Sequence, residues 1–358
     1  MFTGAITDAP LPYTEPAEEW TPSGDYSLYY GYNALETAEN GKAMQYAYDK
    51  ICCAVNASET HISFNDRRFS LDAETFGQAY LVYCYDHPEH FWLDQSSYSK
   101  TSASDGTLRE IVFTYLFEGA ELETAKNAMQ DAIDALMEDL PTDDTGAFDA
   151  YTLELYVHDR IVESVSYEDE SEISHTAYGA LINKKAVCEG YAKAFQLIMQ
   201  SYGMPCYMVV GEGREDTHGW DLVKIGDDWC YVDPTWDDTD GDYIPHAFFN
   251  MTTEMMLRLR TPYESPFELP LCNNEELYYY RRSEETLHAP FDVNLLSEKL
   301  RNGNGSMTMA VDSDEAVEEL VQFINDHFIE IAEGAGYQNT FSASYHLVDR
   351  EIHLTIET

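Results

Sequence analysis

The feature that most constrains the fold is a change of period after Cys188. From Cys188 to Gly203 the apolar residues follow a helical spacing, and glycine is the residue expected just beyond a helix C-terminus. Three strand-like segments follow: CYMVVG at 206–211, HGWDLVKI at 218–225 and WCYVDPT at 229–235. Because only short polar turns separate these segments, they predict an antiparallel meander that packs beside the helix.

The flanking segments alternate between helical and strand-like periods, which predicts two smaller α+β domains. The predicted flanking elements are helices at 34–55, after Asp72, at 121–140, at 148–168 and from Asp314 to Glu333, and strands at 109–117, 306–312, 341–348 and 351–357. The fold class expected is therefore α+β, with a helix and an antiparallel sheet at its centre.

The chain is predicted to contain four parts. These are a tether at 1–24, an N-terminal α+β domain at 25–147, a central core at 148–265 and a C-terminal β-α-β-β domain at 266–358. The tether is predicted because residues 8–25 are acidic and proline-rich. Such a start favours a secreted or cell-envelope protein whose signal peptide has been removed.

The charge of the chain excludes several classes of partner. The sequence has 66 acidic and 20 basic residues, which gives a formal charge of −46 at pH 7. Such a field repels phosphate backbones and anionic lipid, so neither nucleic-acid binding nor membrane-surface binding is expected. We also expect no membrane span, because no run reaches the necessary 18 apolar residues. The charge is typical of a soluble protein, and it would also attract a cationic protein or peptide.

The cysteines and histidines predict neither a disulfide scaffold nor a metal centre. Seven cysteines are too few for such a scaffold, and their odd number leaves one thiol free unless another chain pairs with it. The spacing shows no zinc signature, and the acidic stretch 237–242 departs from the EF-hand pattern because Trp236 occupies the first ligand position. His87 and His90 flank a Pro88-Glu89 turn, and we interpret them as structural. No cofactor is predicted.

Cys188 is the strongest candidate for a nucleophile. At the start of a helix it would face unpaired backbone N–H groups and the positive end of the helix dipole, both of which favour a thiolate. A cysteine alone is more often a small core residue. Cys84, Cys206 and Cys230, which lie inside predicted helix or strand, are interpreted in that way.

His218 and Asp233 are predicted to share one face of the meander. With a two-residue turn at 226–227, Ile225 opposes Asp228 and Trp220 opposes Asp233. His218 then lies diagonal to Asp233, close enough for an imidazole and a carboxylate to form a hydrogen bond. That bond would fix the imidazole tautomer and leave the other ring nitrogen to face a thiol. Alone, each residue also fits an ordinary strand end or turn.

Together, these residues resemble a known family. The stretches AVCEGYAKAF, HGWDLVKI and WCYVDPTWDD are similar to the three motifs of the transglutaminase-like superfamily, especially its secreted bacterial members. The resemblance covers about residues 150–262 and implies a papain-type core. It also implies that Cys188 is the nucleophile, His218 the general base and Asp233 the residue that orients this base. Gly219 and Asp221 depart from the more usual Ala and Asn, and Asp221 is expected to add charge near the site.

Three further residues are candidates for the surroundings of the nucleophile. An oxyanion hole would need the Cys188 backbone N–H and one side-chain donor, for which Tyr178 is the candidate. Trp220 and Trp236 are candidates for lining an acyl groove. For all three residues, simple packing is the alternative.

The chemistry that the resemblance implies is acyl transfer through a Cys188 thioester, on protein or peptide substrates. Water as the acceptor makes a peptidase or amidase, and an amine makes a transglutaminase. The alternative is a module without activity that binds a ligand or a cell surface with the same scaffold. For a working site we also expect His218 and Asp233 to border a cleft, so that their replacement changes stability little.

Overall fold

The computed structural model describes residues 20–66, 68–69, 71–214, 216–239, 243–283, 286–337 and 342–357. Of the predicted tether, residues 1–19 lie outside the described residues. Part of the acidic stretch at 237–242 also lies outside them.

Helices and strands alternate along the described chain. The helices are α1 Tyr30–Ala34, α2 Gly41–Asn56, α3 Ala73–Asp86, α4 Gly119–Leu136, α5 Ala150–Ser164, α6 Cys188–Ser201, α7 Pro234–Asp237, α8 Thr253–Leu257, α9 Tyr279–Arg282, α10 Val293–Asn302 and α11 Asp314–Ala335. The strands are β1 His61–Ser63, β2 Leu93–Ser102, β3 Leu108–Tyr115, β4 Ser166–Tyr167, β5 Lys185–Ala186, β6 Cys206–Gly213, β7 Asp216–Ile225, β8 Asp228–Val232, β9 Arg260–Pro262, β10 Thr286–Leu287, β11 Ser306–Val311, β12 Ser342–Val348 and β13 Glu351–Glu357.

The strands form three main sheets, and the predicted α+β class is confirmed. The sheet orders are β1-β3-β2 in the N-terminal part, β8-β7-β6-β9 in the centre and β10-β11-β13-β12 in the C-terminal part. All pairs are antiparallel except the short pair of β10 with β11. A separate parallel pair joins β4 to β5, just before α6.

The central helix and meander are as predicted. Helix α6 begins at Cys188 and ends at Ser201, and Gly203 follows with a left-handed φ of 78°. The three strands pair in sequential order, with Ile225 opposite Asp228 as expected. The third strand is shorter than predicted, because Asp233 caps helix α7 and Pro234 is its first residue. Strand β9 was not predicted; it joins the free edge of β6.

In the N-terminal part, the predicted helix at 34–55 is wrong at its beginning. The chain enters the left-handed region at Asn40 (φ 59°), and the long helix α2 starts only at Gly41. A Cβ at Gly41 would lie 1.9 Å from the Leu35 carbonyl oxygen, so the sharp entry requires glycine. The predicted cap at Asp72 is confirmed, because its carboxylate accepts a hydrogen bond of 2.8 Å from the Thr75 N–H.

Two clusters of buried apolar residues hold the described chain together. The larger one extends from the N-terminal part through the central helix and sheet, and it includes Val348 of β12. The smaller one lies between α10, α11 and the C-terminal sheet. The separation of 25–147 from 148–265 as domains stays a prediction.

The turn between β12 and β13 contacts the central part. Arg258 donates hydrogen bonds of 3.3 and 3.1 Å to the two carboxylate oxygens of Asp349. Glu351 accepts a hydrogen bond of 3.0 Å from the backbone N–H of His246. Both contacts fall in the segment that leads from α7 to β9. Among the described residues, none of the helices combines the length and apolarity that crossing a bilayer requires.

Candidate active site

The Cys188 thiol lies at the first residue of α6 and is half-buried. No side chain forms a capping hydrogen bond at this helix start, so the first backbone N–H groups of α6 are not satisfied by a side-chain cap. The start of α6 packs against β7 at Gly219, where an added Cβ would lie 3.8 Å from the Glu189 Cα. This distance is an ordinary van der Waals contact. The more usual alanine would therefore fit at position 219, and lack of space does not explain the glycine.

His218 and Asp233 come together as the predicted register requires. His218 Nε2 lies 2.7 Å from Asp233 Oδ2, and both side chains are buried. Because an ionised carboxylate only accepts hydrogen bonds, Nε2 carries a proton and Nδ1 is left to face the thiol. Asp233 Oδ1 accepts a bond of 3.2 Å from the Trp236 N–H, which holds the carboxylate at the start of α7.

The surroundings of His218 favour its charged form. Burial lowers its pKa, but the Asp233 carboxylate and then the hydrogen bond and charge of the Cys188 sulfur raise it to about 9. Burial also opposes the charge of Asp233, but His218 and Arg260 hold its pKa well below the usual range. An imidazolium beside the sulfur stabilises a thiolate.

Arg260 of β9 is a member of this site that sequence analysis missed. It is fully buried, and its guanidinium donates to Asp233 Oδ2 through Nη2 and, at 3.2 Å, through Nε. Its carbon Cζ lies 3.6 Å from the centre of the Trp236 ring, in a cation–π contact. No motif marks this arginine, because it reaches Asp233 only through the pairing of β9 with the edge of β6.

The surroundings of Asp221 oppose the charge that we expected it to add. Its side chain is fully buried, its Oδ1 lies 3.7 Å from the Cys206 sulfur, and Oδ2 has no hydrogen-bond partner among the described residues. Burial first, and then the Asp233 charge, raise the pKa of Asp221 well above the usual range. When it is protonated, Asp has the shape of the Asn that is more usual in the family.

Of the three residues predicted to surround the nucleophile, Trp220 and Tyr178 need correction. Trp220 is fully buried, so it packs rather than lining a groove. The ring of Tyr178 packs against Phe91 and Phe117, at centroid distances of 5.3 and 4.9 Å. Tyr178 therefore has a packing role, which was the stated alternative. Trp236 is half-buried and stacks on His218 at 4.9 Å, so it lies beside the reacting groups.

Tyr167, at the end of β4, was also missed. Burial raises its pKa first, and the charge of Cys188 raises it further, whereas a hydrogen bond from the Cys188 backbone N–H lowers it. The Tyr167 hydroxyl is thus a further candidate for the side-chain donor of the predicted oxyanion hole. The side chain remains largely exposed.

The residue after the nucleophile is a paired acid. Glu189 receives hydrogen bonds of 2.6 Å from Lys193 Nζ and 3.1 Å from His175 Nδ1. Burial opposes its charge, but Lys193 and His175 lower the pKa of Glu189 to about 2. The negative charge of Glu189, which lies next to Cys188 in the chain, is therefore balanced by Lys193 and His175.

Two groups of side chains elsewhere have the composition of metal ligands. His158, Asp159 and His246 can bring three ligand atoms within 4.8 Å, and so can His87, Glu89 and His90. In the first group, His158 is already hydrogen-bonded through both ring nitrogens, to Asp159 at 2.9 Å and to Asp237 at 3.1 Å. It therefore fixes α7, the helix that follows Asp233, and it has no free nitrogen for an ion.

A half-buried thiol at a helix start, beside an antiparallel sheet that carries a buried His-Asp pair, defines a papain-type core. The sequence profile of the transglutaminase-like superfamily matches residues 134–234. The resemblance of the three motifs to this superfamily is therefore confirmed over this segment.

Solved structures similar to the chain include a TGase, with 13% identity and a TM-score of 0.29 over 53% of this chain and 53% of that one. A candidate cysteine protease from Cytophaga hutchinsonii has 13% identity and a TM-score of 0.27 over 46% of this chain and 65% of that one. The periplasmic domain of TgpA from Pseudomonas aeruginosa, bound to ethylmercury, has 16% identity and a TM-score of 0.24 over 40% of this chain and 66% of that one. The chain thus spans about half of the first structure and just under two thirds of the others. Among curated proteins, none matches the chain by sequence.

Proposed function

We propose that this chain catalyses cysteine-dependent acyl transfer on protein or peptide substrates. Cys188 is the nucleophile, His218 takes and returns the proton, and Asp233 orients His218. The observation that supports this assignment best is the 2.7 Å hydrogen bond between His218 Nε2 and the buried Asp233 carboxylate, with the Cys188 sulfur acting on the same ring. The match of residues 134–234 to a superfamily of cysteine-dependent enzymes supports it as well.

The proposed reaction has two steps. The Cys188 thiolate attacks the substrate carbonyl carbon, the leaving amine takes the proton of His218, and a thioester remains. Water or a second amine then gives a proton to His218 and attacks the thioester. The arrangement serves both acceptors equally, so peptidase or amidase and transglutaminase activities both fall within the proposal.

Two groups are proposed to stabilise the negative oxygen that forms in the first step. One is the Cys188 backbone N–H, which lies at the start of α6. The other is the Tyr167 hydroxyl, whose pKa is affected by both the charge and the backbone N–H of Cys188. Such donors act most strongly when they are fixed before the reaction begins.

The charge of the chain supports a cationic protein or peptide as substrate. A formal charge of −46 attracts positively charged chains over distances that depend on ionic strength. We further propose that the protein acts outside the cytoplasm, in the secreted or cell-envelope setting that its acidic, proline-rich start suggests.

The test is the rate at which a peptide-based, thiol-directed acylating probe labels Cys188. His218→Ala and Asp233→Asn should each reduce this rate on the order of a hundredfold or more, the scale for loss of general-base assistance. Circular dichroism melts serve as the fold control. They matter most for Asp233→Asn, because Asp233 is fully buried beside Arg260 and its replacement leaves a charge unpaired. This burial contradicts the expectation that stability would change little.

Equal labelling of the wild type and both folded variants would contradict the triad. In that case the scaffold would be better described as a binding module. Loss of labelling in His218→Ala alone would leave Cys188 and His218 in place and remove Asp233 from its role.

A further inference from the structure

A second set of thiol, imidazole and carboxylate lies in the N-terminal part of the molecule. A cavity of about 480 Å³ there is lined by Cys52, His87 and Glu89, together with Tyr and Trp rings. Cys52 belongs to α2, whereas His87 and Glu89 lie in the turn after α3. The proposed acyl-transfer reaction uses none of these residues.

His87 and Glu89 form a buried pair. His87 is 1% exposed, and its Nδ1 lies 2.6 Å from Glu89 Oε1. The same carboxylate oxygen accepts a hydrogen bond of 3.0 Å from the Tyr29 hydroxyl. The other ring nitrogen, Nε2, is buried and has no hydrogen-bond partner of good geometry among the described residues. A buried imidazole nitrogen without a hydrogen bond lowers the stability of the fold, so its presence needs an explanation.

The Cys52 sulfur lines the same cavity as the His87 ring. Burial lowers the pKa of His87, but Glu89 and then the Cys52 sulfur raise it to about 10. The Asn56 amide also donates a hydrogen bond of 3.3 Å to the sulfur. Cys52 therefore has one nitrogen donor, and it shares its cavity with a ring whose charged form is favoured. Cysteines near a cationic ring are among the reactive ones in proteins.

A metal ion fits this set less well than a reactive thiol does. Both nitrogens of His90 are already hydrogen-bonded, Nδ1 to the Tyr83 hydroxyl at 2.6 Å and Nε2 to Asn56 at 3.2 Å. His87 Nδ1 is held by Glu89. Among the described residues of this group, His87 Nε2 and Glu89 Oε2 remain without partners, and a zinc site needs three or four ligand atoms that converge on the ion.

We propose that Cys52 is a second reactive thiol, a modification site that exchanges with low-molecular-weight disulfides. The Cys52 thiolate attacks one sulfur of the disulfide, a new S–S bond forms and the old one breaks. The leaving thiolate takes the proton from His87 Nε2. Cys52 is oxidised to a mixed disulfide, and the leaving sulfur is reduced to a thiol, so no other oxidant is required.

The neighbouring residue provides a matched control. Cys53 is exposed, whereas Cys52 is only 8% exposed. The pKa of Cys53 is raised, first by burial of its thiol, and no histidine is among the groups that act on it. If exposure alone set reactivity, Cys53 would react first. The proposal requires the reverse order.

The experiment uses the full chain with Cys188→Ser, which removes the proposed nucleophile. Cys52→Ser and Cys53→Ser are each added, and oxidised glutathione is the probe, with mass mapping of the mixed disulfide. Cys52 should react at least about tenfold faster than Cys53, and His87→Gln should remove that advantage while leaving Cys53 unchanged. Glu89→Gln, at a less buried position, should reduce the rate of Cys52 by a smaller factor, and it keeps the test usable if His87→Gln fails to fold.

Faster modification of Cys53, or a Cys52 rate that is indifferent to both His87→Gln and Glu89→Gln, would overturn the proposal. One equivalent of zinc that survives dialysis and is lost in His90→Gln would also overturn it, because the cluster would then be a metal site. Since every arm carries Cys188→Ser, the result does not depend on the acyl-transfer activity.

Discussion

The two Cys-His-carboxylate sets of this molecule differ in the position of the sulfur on its helix. Cys188 is the first residue of α6, whereas Cys52 lies near the end of α2, which stops at Asn56. A helix start stabilises a negative sulfur and offers N–H groups to a developing oxyanion, and a helix end does neither. The comparison suggests that acyl transfer depends on the helix start, while disulfide exchange requires only the histidine.

The carboxylates of the two sets also differ. Asp233 is fully buried and has Arg260 as a second partner. Glu89 is about one-third exposed and has the Tyr29 hydroxyl instead. Yet both imidazoles have raised pKa values, about 9 for His218 and about 10 for His87. The protonation of the histidine is therefore similar in the two places, and the surroundings of the sulfur distinguish them.

The largest expected effect tests this comparison directly. Cys188→Ser should reduce substrate turnover on the order of a thousandfold or more, since a serine in its place lacks thiolate chemistry. Cys52→Ser should leave turnover unchanged, because α2 offers no helix start at that thiol. Steady-state turnover of a peptide amide measures both. Loss of turnover in Cys52→Ser with an unchanged fold would mean that the two sets are functionally linked.

The second prediction concerns Arg260, which pairs with the carboxylate of the Cys188 set and has no counterpart in the Cys52 set. Arg260→Met should lower the free energy of unfolding by about 3–5 kcal/mol, because Asp233 then keeps a buried charge with one partner fewer. Urea denaturation measures this loss. Arg214→Met is the control, because Arg214 contacts the same Trp236 ring at 4.5 Å but is exposed. A similar loss in both variants would show that the ring contact, rather than the Asp233 pair, stabilises the site.

The third prediction concerns pH and the buried Asp221. The pKa of Asp221 in the folded state lies above the unfolded value. Burial of Asp221 therefore costs no charge below about pH 4, and the free energy of unfolding of the wild type falls as the pH rises toward the folded pKa. As the pH rises above about 5, Asp221→Asn should therefore gain stability relative to wild type, by up to about 1.4 kcal/mol per pH unit. Thermal melts at several pH values test this gain. Asp227→Asn, at an exposed turn, should show no such trend, and a flat difference for Asp221→Asn would contradict the burial argument.

The smallest expected effect concerns Tyr167, the oxyanion donor that we propose for the Cys188 set. Tyr167→Phe should reduce the acylation rate about tenfold, the value of one hydrogen bond to a charged group at an exposed position. Tyr178→Phe is the matched control and should change the rate little, since that ring packs against Phe91 and Phe117. The reverse result would restore Tyr178 as the donor.

Sequence reasoning predicted the parts of the site that depend on local periodicity. The helix start at Cys188 and the opposition of Ile225 to Asp228 follow from spacing and turn length, and both are confirmed. Arg260 could not be predicted, since its contact depends on β9 joining the edge of β6. The break at Asn40 was missed because the predicted helix was extended toward the N-terminus from apolar spacing that begins only at Met44.

Tyr167 could not be predicted for a similar reason. It depends on a parallel pair of two-residue strands, β4 and β5, which is too short to leave a period in the sequence. Tyr178 was selected by its distance along the chain from Cys188. The chain forms a π-helical turn at Gly179–Asn183 just after it, and the ring instead packs on the N-terminal part.

The contacts of the β12–β13 turn affect how this protein can be shortened. A chain that stops at residue 265 would keep all the proposed reacting groups, but Arg258 would lose Asp349 and the His246 N–H would lose Glu351. It would also lose Val348 from the larger apolar cluster. Because these losses fall on the segment that carries Arg260 to Asp233, the apparent minimal catalytic fragment would be a poor substitute for the full chain in screening or crystallisation.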